Sequence, residues 1–421
     1  MTIQLSAPSH PSDDALPLTG LASLAKMAFD GADLAPLRAR LLHRAAHSET
    51  DANALMDLST LLHFMGQRDC ALSVQALALD IRQIYRLRCS AGSAGIRLLA
   101  IMSAGDLTEN NALEFLVEGS DIALDILYVG LDRSMPAALP DHDLAMVAVC
   151  ETDRSLPLLA QIGNQVKSWP RPVLCAPDRL ARLSRDGASA LLRGVPGIVM
   201  PHTARIDRGT LESVGRSGIS VTALVPDGGF PVIVRPVDSQ KGQGLMKLDG
   251  PGAIACYLKT RPEAAFHVAR FVDYRGKDGQ FRKYRIVLID GRPYACHMAI
   301  SGNWMVHYLN AGMVESAEKR AEEAQFFATF DDNFARRHQA ALVAIAKRLE
   351  LEYVGIDCGE TPEGELLIFE VDSGMTVHAM DPVDIFPYKQ PQMRKVFGAF
   401  RQMLIDTLAH SARGCIATAT S

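Results

Sequence analysis

Two short apolar runs constrain this chain more than any other feature: Tyr353–Cys358 and Glu365–Asp372, separated by the turn residues Thr361–Gly364. Both read as strands, and each ends in acid. The first closes on Ile356-Asp357 and the second on Glu370-Val371-Asp372. Alternate residues of a strand share a face, so Glu370 and Asp372 point one way and an antiparallel neighbour can present Asp357 beside them. Three facing carboxylates repel one another without a counter-ion. Hard oxygen donors of this kind suit Mg²⁺, which takes its remaining ligands from water and phosphate. A solvated edge hairpin is the plainer alternative. The apolar Ile356, Ile368, Phe369 and Val371 argue instead for a packed one. Asp357, Glu370 and Asp372 are therefore the predicted metal ligands.

A second signal lies upstream. The apolar run Phe230–Arg235 delivers a cation to the small-residue loop Ser239-Gln240-Lys241-Gly242-Gln243-Gly244. Backbone N–H groups of such a loop can approach phosphate oxygens, and a guanidinium can grip them through its fork of donors. Strands are expected at Ala265–Val272 and Tyr284–Ile289, and Asp290-Gly291 then signals a hairpin into Pro293–Ile300. Ala317–Phe330 and Phe334–Leu349 read as helices.

The first ninety residues are different. Apolar residues recur at helical spacing in Leu34–Ala46, Ala54–Met65 and Ala71–Tyr85. Ala54–Leu87 resembles one tetratricopeptide unit, with Leu58, Leu61 and Leu62 facing a partner helix and Gly66 at the turn. One such unit cannot bury its own face, so it either packs on the rest of the chain or forms a peptide-binding groove. The middle of the chain alternates strand-like runs (Ile96–Met102, Asp125–Val129, Leu144–Val149) with helix-like ones (Ala112–Val117, Leu156–Val166), which implies a parallel sheet. The fold class is thus α/β, with α+β character in the C-terminal part. The predicted division is a disordered tail 1–17, a helical domain 18–92, an α/β domain 93–207, a domain carrying the acids at 208–410 and a flexible tail 411–421.

Composition excludes several classes. A net charge of −5 and a pI near 6.2 argue against a nucleic-acid binder. No run has the length of a membrane span, and the N-terminus lacks the pattern of a signal peptide. Eight scattered cysteines without a CxxC pair read as buried free thiols in a reducing cytoplasm.

Taken together, Arg235 with its loop, the three acids, and Ser184-Arg185-Asp186 followed by Leu191–Val199 resemble the ATP-grasp superfamily. That family includes glutathione synthetases, ribosomal-protein glutamate ligases and D-alanine ligases. The resemblance implies a βα domain ahead of an ATP-grasp domain, with ATP and Mg²⁺ (or Mn²⁺) as cofactors. It places phosphate contacts on Arg235, Ser239, Gln240, Lys241, Gly242 and Gly244, and an adenine-contacting hinge on Arg270, Phe271 and Val272. It makes Arg285 a catalytic arginine. Gly187 stands where relatives commonly carry lysine, and Lys283 where an acid is frequent.

The reaction so implied is ATP-dependent joining of a carboxylate to an amine or other nucleophile through an acyl phosphate. The polar and aromatic segment His297–Asn310 suits a substrate wall: His297, Asn303, Tyr308 and Asn310, with His307 as proton acceptor, or else a satisfied core network. His378 is a further substrate candidate. The partners implied are small-molecule or peptide carboxylates and amines, and a homodimer is also open. The alternative is a nucleotide-binding sensor or scaffold without turnover.

Overall fold

A computed structural model describes residues 4–5, 16–89, 92–240, 242–307 and 311–419, without the side chains of 4–5 and 414–419. The chain divides into two compact units. One comprises 1–181, 351–354 and 373–421; the other comprises 182–350 and 355–372.

The first unit opens with four helices, α1 (Leu21–Phe29), α2 (Ala35–His47), α3 (Ala52–Phe64) and α4 (Arg68–Ile81). The helical spacing seen in the sequence ends at Ile81. Tyr85, expected at the end of a helix, lies instead in a strand, β1 (Ile84–Leu87), which pairs antiparallel with the sheet that follows. Leu58, Leu61 and Leu62 form a buried cluster with Leu24, Leu41 and Ala71, so the helices share one core. That sheet runs β1–β3–β2–β4–β5, with β2 (Ile96–Ser103), β3 (Ile122–Val129), β4 (Leu144–Val147) and β5 (Val173–Leu174) mutually parallel. Helix α5 (Leu113–Val117) follows β2, and α6 (Leu156–Val166) follows β4. Gln4–Leu5, within the expected tail, pairs in parallel with Ala138–Leu139.

Helical and sheet layers are joined by buried polar contacts. The first N–H groups of α1 have no partner within the helix. Glu114 Oε2 accepts from one of them, Ala22 N (3.0 Å), and just ahead of the helix Asp57 accepts from Thr19 N (2.8 Å) and Gly20 N (3.0 Å). Arg86 forks onto Asp125 with two 2.7 Å bonds.

The second unit holds two sheets. After α7 (Arg185–Leu192) and β6 (Ile198–Val199), the strands β7 (Thr203–Asp207), β8 (Val232–Pro236), β9 (Met246–Leu248) and β10 (Ala265–Arg270) form an antiparallel sheet ordered β9–β8–β10–β7. Helices α8 (Arg208–Gly215) and α9 (Gly252–Lys259) supply Leu211, Val214, Ile254 and Tyr257 to a core shared with Val232, Val234, Phe266 and Val268. The other sheet runs β12–β11–β13–β14–β6, from β11 (Phe281–Ile289), β12 (Arg292–Ser301), β13 (Tyr353–Glu360) and β14 (Leu366–Asp372). Asp290 and Gly291, at φ 49° and 72°, make the tight β11–β12 turn that this dipeptide signals. Helix α10 (Ala317–Ala328) is followed by a π-helical turn at Asp331–Ala335 and by α11 (Gln339–Leu349), so the helix expected from Phe334 starts later. The last helix, α12 (Lys389–Ala419), returns to the first unit, where Arg401 forks onto Asp121 (2.6 and 2.7 Å). Its backbone is helical through 411–419, where a flexible tail was expected.

Of the cysteines whose side chains are described, Cys150, Cys175, Cys296 and Cys358 are buried, whereas Cys70 and Cys256 are exposed. Helical spacing alone placed those two among apolar neighbours without saying which face they occupy. Among the described residues no helix is long and apolar enough to cross a membrane.

Candidate functional site

Strand β8 carries Arg235 at its end, opposite His267 of β10 in the antiparallel register. The Arg235 side chain is only 8% exposed. Its Nε donates to Ser239 Oγ (3.1 Å) and its Nη2 to the Ser239 carbonyl, and no carboxylate pairs with it among the described residues. Burial, with the repulsion of a second guanidinium, Arg185 at the start of α7, pushes Arg235 down to about 9, and the nearby Glu370 carboxylate offsets this in part. Arg185 itself reaches Glu370 Oε1 and the Phe369 carbonyl (3.3 Å). His267 Nε2 lies 3.2 Å from Asp186 Oδ1, and burial holds the imidazole down at about 4, so it is neutral at pH 7. A desolvated cation that makes no direct ion pair, beside a second cation, favours an incoming oxyanion, although the Glu370 carboxylate partly offsets its charge. The 239–244 loop returns closely on β8: a Cβ at Gly244, whose φ is +69°, would lie 2.6 Å from Pro236. Glycine is required there by both conformation and space. Ser239 is thus bonded to Arg235 and Gly244 lies against the adjacent Pro236, with Gln240 and Gly242 in the same loop; Lys241 lies outside the described residues.

The acids sit as the strand register dictates. Asp357 is directly opposite Glu370, and Asp372 is opposite Gly355. Counter-ions come from the protein. Lys283 and Arg285 alternate onto one face of β11, the strand beside β13, while Tyr284 between them turns the other way to stack near Phe326 and Phe334. Lys283 Nζ stands 2.6 Å from Asp357 Oδ2; Arg285 places Nε 2.8 Å from Oδ1 and Nη2 2.9 Å from Oδ2. These cations hold the Asp357 carboxyl far below the usual range although burial opposes it, and the residue is 1% exposed.

Three lone-pair directions of Asp357 are therefore taken, and Glu370 already holds Arg185. Among the described residues no group of three or more histidine, cysteine or acidic side chains is placed to hold a metal ion. The donor set as arranged does not fit a Mg²⁺ held by all three acids. The repulsion that seemed to require a metal is relieved by Lys283, Arg285 and Arg185.

The expected hinge residues lie at and after the end of β10. Arg270 ends β10 and pairs with Asp227 (3.3 Å). The Phe271 N–H donates to the Pro231 carbonyl (2.9 Å) and so is not available to a base. Its ring is more informative. Lys247 Nζ stands 4.4 Å from the centroid, and Trp304 meets it edge-on at 5.7 Å. Val272 follows, outside the strand.

His297 faces Arg285 across the β11–β12 hairpin, beside a bulge. Asn303 N donates to Ser301 Oγ (3.1 Å), in the turn after β12, and His307 lies just beyond it. Tyr308 and Asn310 are outside the described residues. His378 belongs to the first unit, where its ring lies 6.3 Å from Phe29 and 6.0 Å from Phe115. The residues that sequence reasoning left without a role are Arg185, Lys247, His267 and Lys283. Ser184, which caps α7 by accepting from Gly187 N (3.1 Å), is the one local signal that fixes Arg185 at a helix start.

No protein-family model matches the sequence, and no curated protein matches it. Solved structures similar to the chain include the D-alanine–D-alanine ligase from Bacillus anthracis complexed with ATP, at 13% identity and a TM-score of 0.44, covering 76% of this chain and 99% of that one. The VanG D-Ala:D-Ser ligase from Enterococcus faecalis is 13% identical with a TM-score of 0.43, over 72% and 99%. An ATP-grasp RimK domain protein from Sphaerobacter thermophilus is 16% identical with a TM-score of 0.39, over 74% and 99%.

Proposed function

We propose that this chain is an ATP-dependent ligase that activates a carboxylate as an acyl phosphate and passes it to an amine. The single observation that carries the reading is the buried Arg235, bonded to Ser239 rather than to a carboxylate and with Arg185 beside it, set against the glycine-containing loop. The ATP-grasp-like order of motifs supports the same assignment. In this reading Arg235 and Arg185 bind the phosphates and the 239–244 loop excludes water from the reactive intermediate. The ring of Phe271, with Lys247 and Trp304, forms an apolar and cationic wall for the base.

A substrate carboxylate oxygen attacks the γ-phosphorus and ADP leaves. The amine nitrogen then attacks the acyl carbon, phosphate leaves, and a base takes the amine proton. His307 is the candidate base. Arg235→Ala is expected to weaken binding of a nonhydrolysable ATP analogue at least tenfold by calorimetry, and unchanged affinity would remove Arg235 from the site. Release of ADP on incubation with Mg·ATP and pooled amino acids tests turnover.

A second reading, a nucleotide-binding scaffold, draws on Gly187 and on the closed ion pairs around Asp357. It predicts stabilisation by nucleotide without ADP release.

A further inference from the structure

We propose that Lys283 is the resident cation of Asp357, so that nucleotide binding at this site does not depend on a divalent ion held by that carboxylate. This rests on the nucleotide-binding reading above and deepens it.

The argument is steric and electrostatic. A magnesium ion binds carboxylate oxygen at about 2.1 Å and demands near-octahedral space for several waters. The Lys283 ammonium already stands 2.6 Å from Asp357 Oδ2, within the volume such an ion would fill. Arg285 occupies the other approaches in a two-pronged pair. With Asp357 1% exposed, no solvent-filled space remains at the carboxylate for hydrated metal. Admitting an ion there means expelling an ammonium and leaving it partly buried without its partner, because the Lys283 side chain is 20% exposed.

The placement is built into the fold. Alternation along β11 puts residues 283 and 285 on the same face, and β13 is the adjacent strand. The neighbouring acid is matched in the same way, since Glu370 takes Arg185. Asp357 and Glu370, opposite one another in the register, thus meet three cations from the chain, and Arg235 adds a fourth nearby. A lysine suits this position as a compact point charge with three donors, able to hold the carboxylate and swing one donor to a phosphate oxygen.

The test is binding of a nonhydrolysable ATP analogue to the full chain, by calorimetry, in excess MgCl₂ and in excess EDTA without magnesium. For the unaltered protein the two dissociation constants are expected to agree within about threefold. Lys283→Met is expected to bind at least tenfold more weakly in EDTA than in magnesium, and Lys283→Arg, which keeps the charge, to restore near-independence. A purely structural lysine would alter both conditions alike. Thermal melts of both variants show whether each is folded, and Lys283→Arg carries the test if Lys283→Met is not. Binding by the unaltered protein in magnesium but not in EDTA overturns the proposal while leaving the nucleotide site standing. Absence of binding in both conditions overturns the nucleotide reading and this proposal with it.

Discussion

Asp357 concentrates the chemistry of the site in one side chain. A carboxylate 1% exposed is tolerable only because Lys283 and Arg285 neutralise it at hydrogen-bonding distance. Asp357→Asn keeps the shape and removes the charge, leaving two cations facing a neutral amide. Such one-sided breaking of a buried pair costs about 3–5 kcal/mol. The expected outcome is a loss of that size in a urea titration of the second unit, followed through Trp304, with Trp169 replaced by phenylalanine so that a single indole reports. A loss under about 1 kcal/mol would mean that water already reaches the carboxylate. The positions of Asp357 and Glu370 were legible from alternation along two strands. Their counter-ions were not, because which strand lies beside β13 is a question of topology, and the spacing of Lys283 and Arg285 says only that they share a face. Arg235 was legible from its strand and loop, but its burial and its bonding to Ser239 instead of a carboxylate are three-dimensional facts.

At the level of elements, the start of α1 is held by two acids. Asp57 from α3 receives the Thr19 and Gly20 N–H groups just ahead of the helix, Glu114 from α5 receives Ala22 N, and burial raises both carboxyls, Glu114 to about 7. Folded Glu114 therefore keeps a proton that the unfolded chain has released above its ordinary value of 4.5. Its contribution is greatest at low pH and declines as pH rises from that value to about 7, then levels off. The decline amounts to about 3 kcal/mol. Urea midpoints of the first unit, read through Trp169 in a Trp304→Phe background, should fall between about pH 5 and pH 7.5, and Glu114→Gln should flatten the change. A midpoint that rises with pH would contradict it. Helices α2 to α4 and strands β2 to β4 were visible as periodicities. Strand β1 was not, because Ile84–Leu87 continues a helical spacing of apolar residues and only pairing with β3 makes it a strand. The π-helical turn at 331–335 falls where the two expected helices break, but the pattern does not tell a widened helical turn from a loop.

For the molecule as a whole, the helical segment is not a detachable appendage. It contributes β1 to the sheet, the Arg86–Asp125 fork, and the Gln75 amide that brackets Gly105 with bonds of 2.7 and 3.2 Å. A chain beginning at Gly95 would expose the Asp125 carboxylate, now 6% exposed. That truncation is expected to aggregate on size-exclusion chromatography and to lose the native Trp169 emission; a monomer with native emission would show the helices to be dispensable. The same unit also takes residues 351–354 and 373–421, and its Asp121 waits for Arg401. During synthesis, then, the first unit begins to emerge ahead of the second and is completed after it. Roughly two hundred residues leave the exit tunnel before its closing helix arrives, so this unit has more opportunity than the other to be met, half-made, by a chaperone.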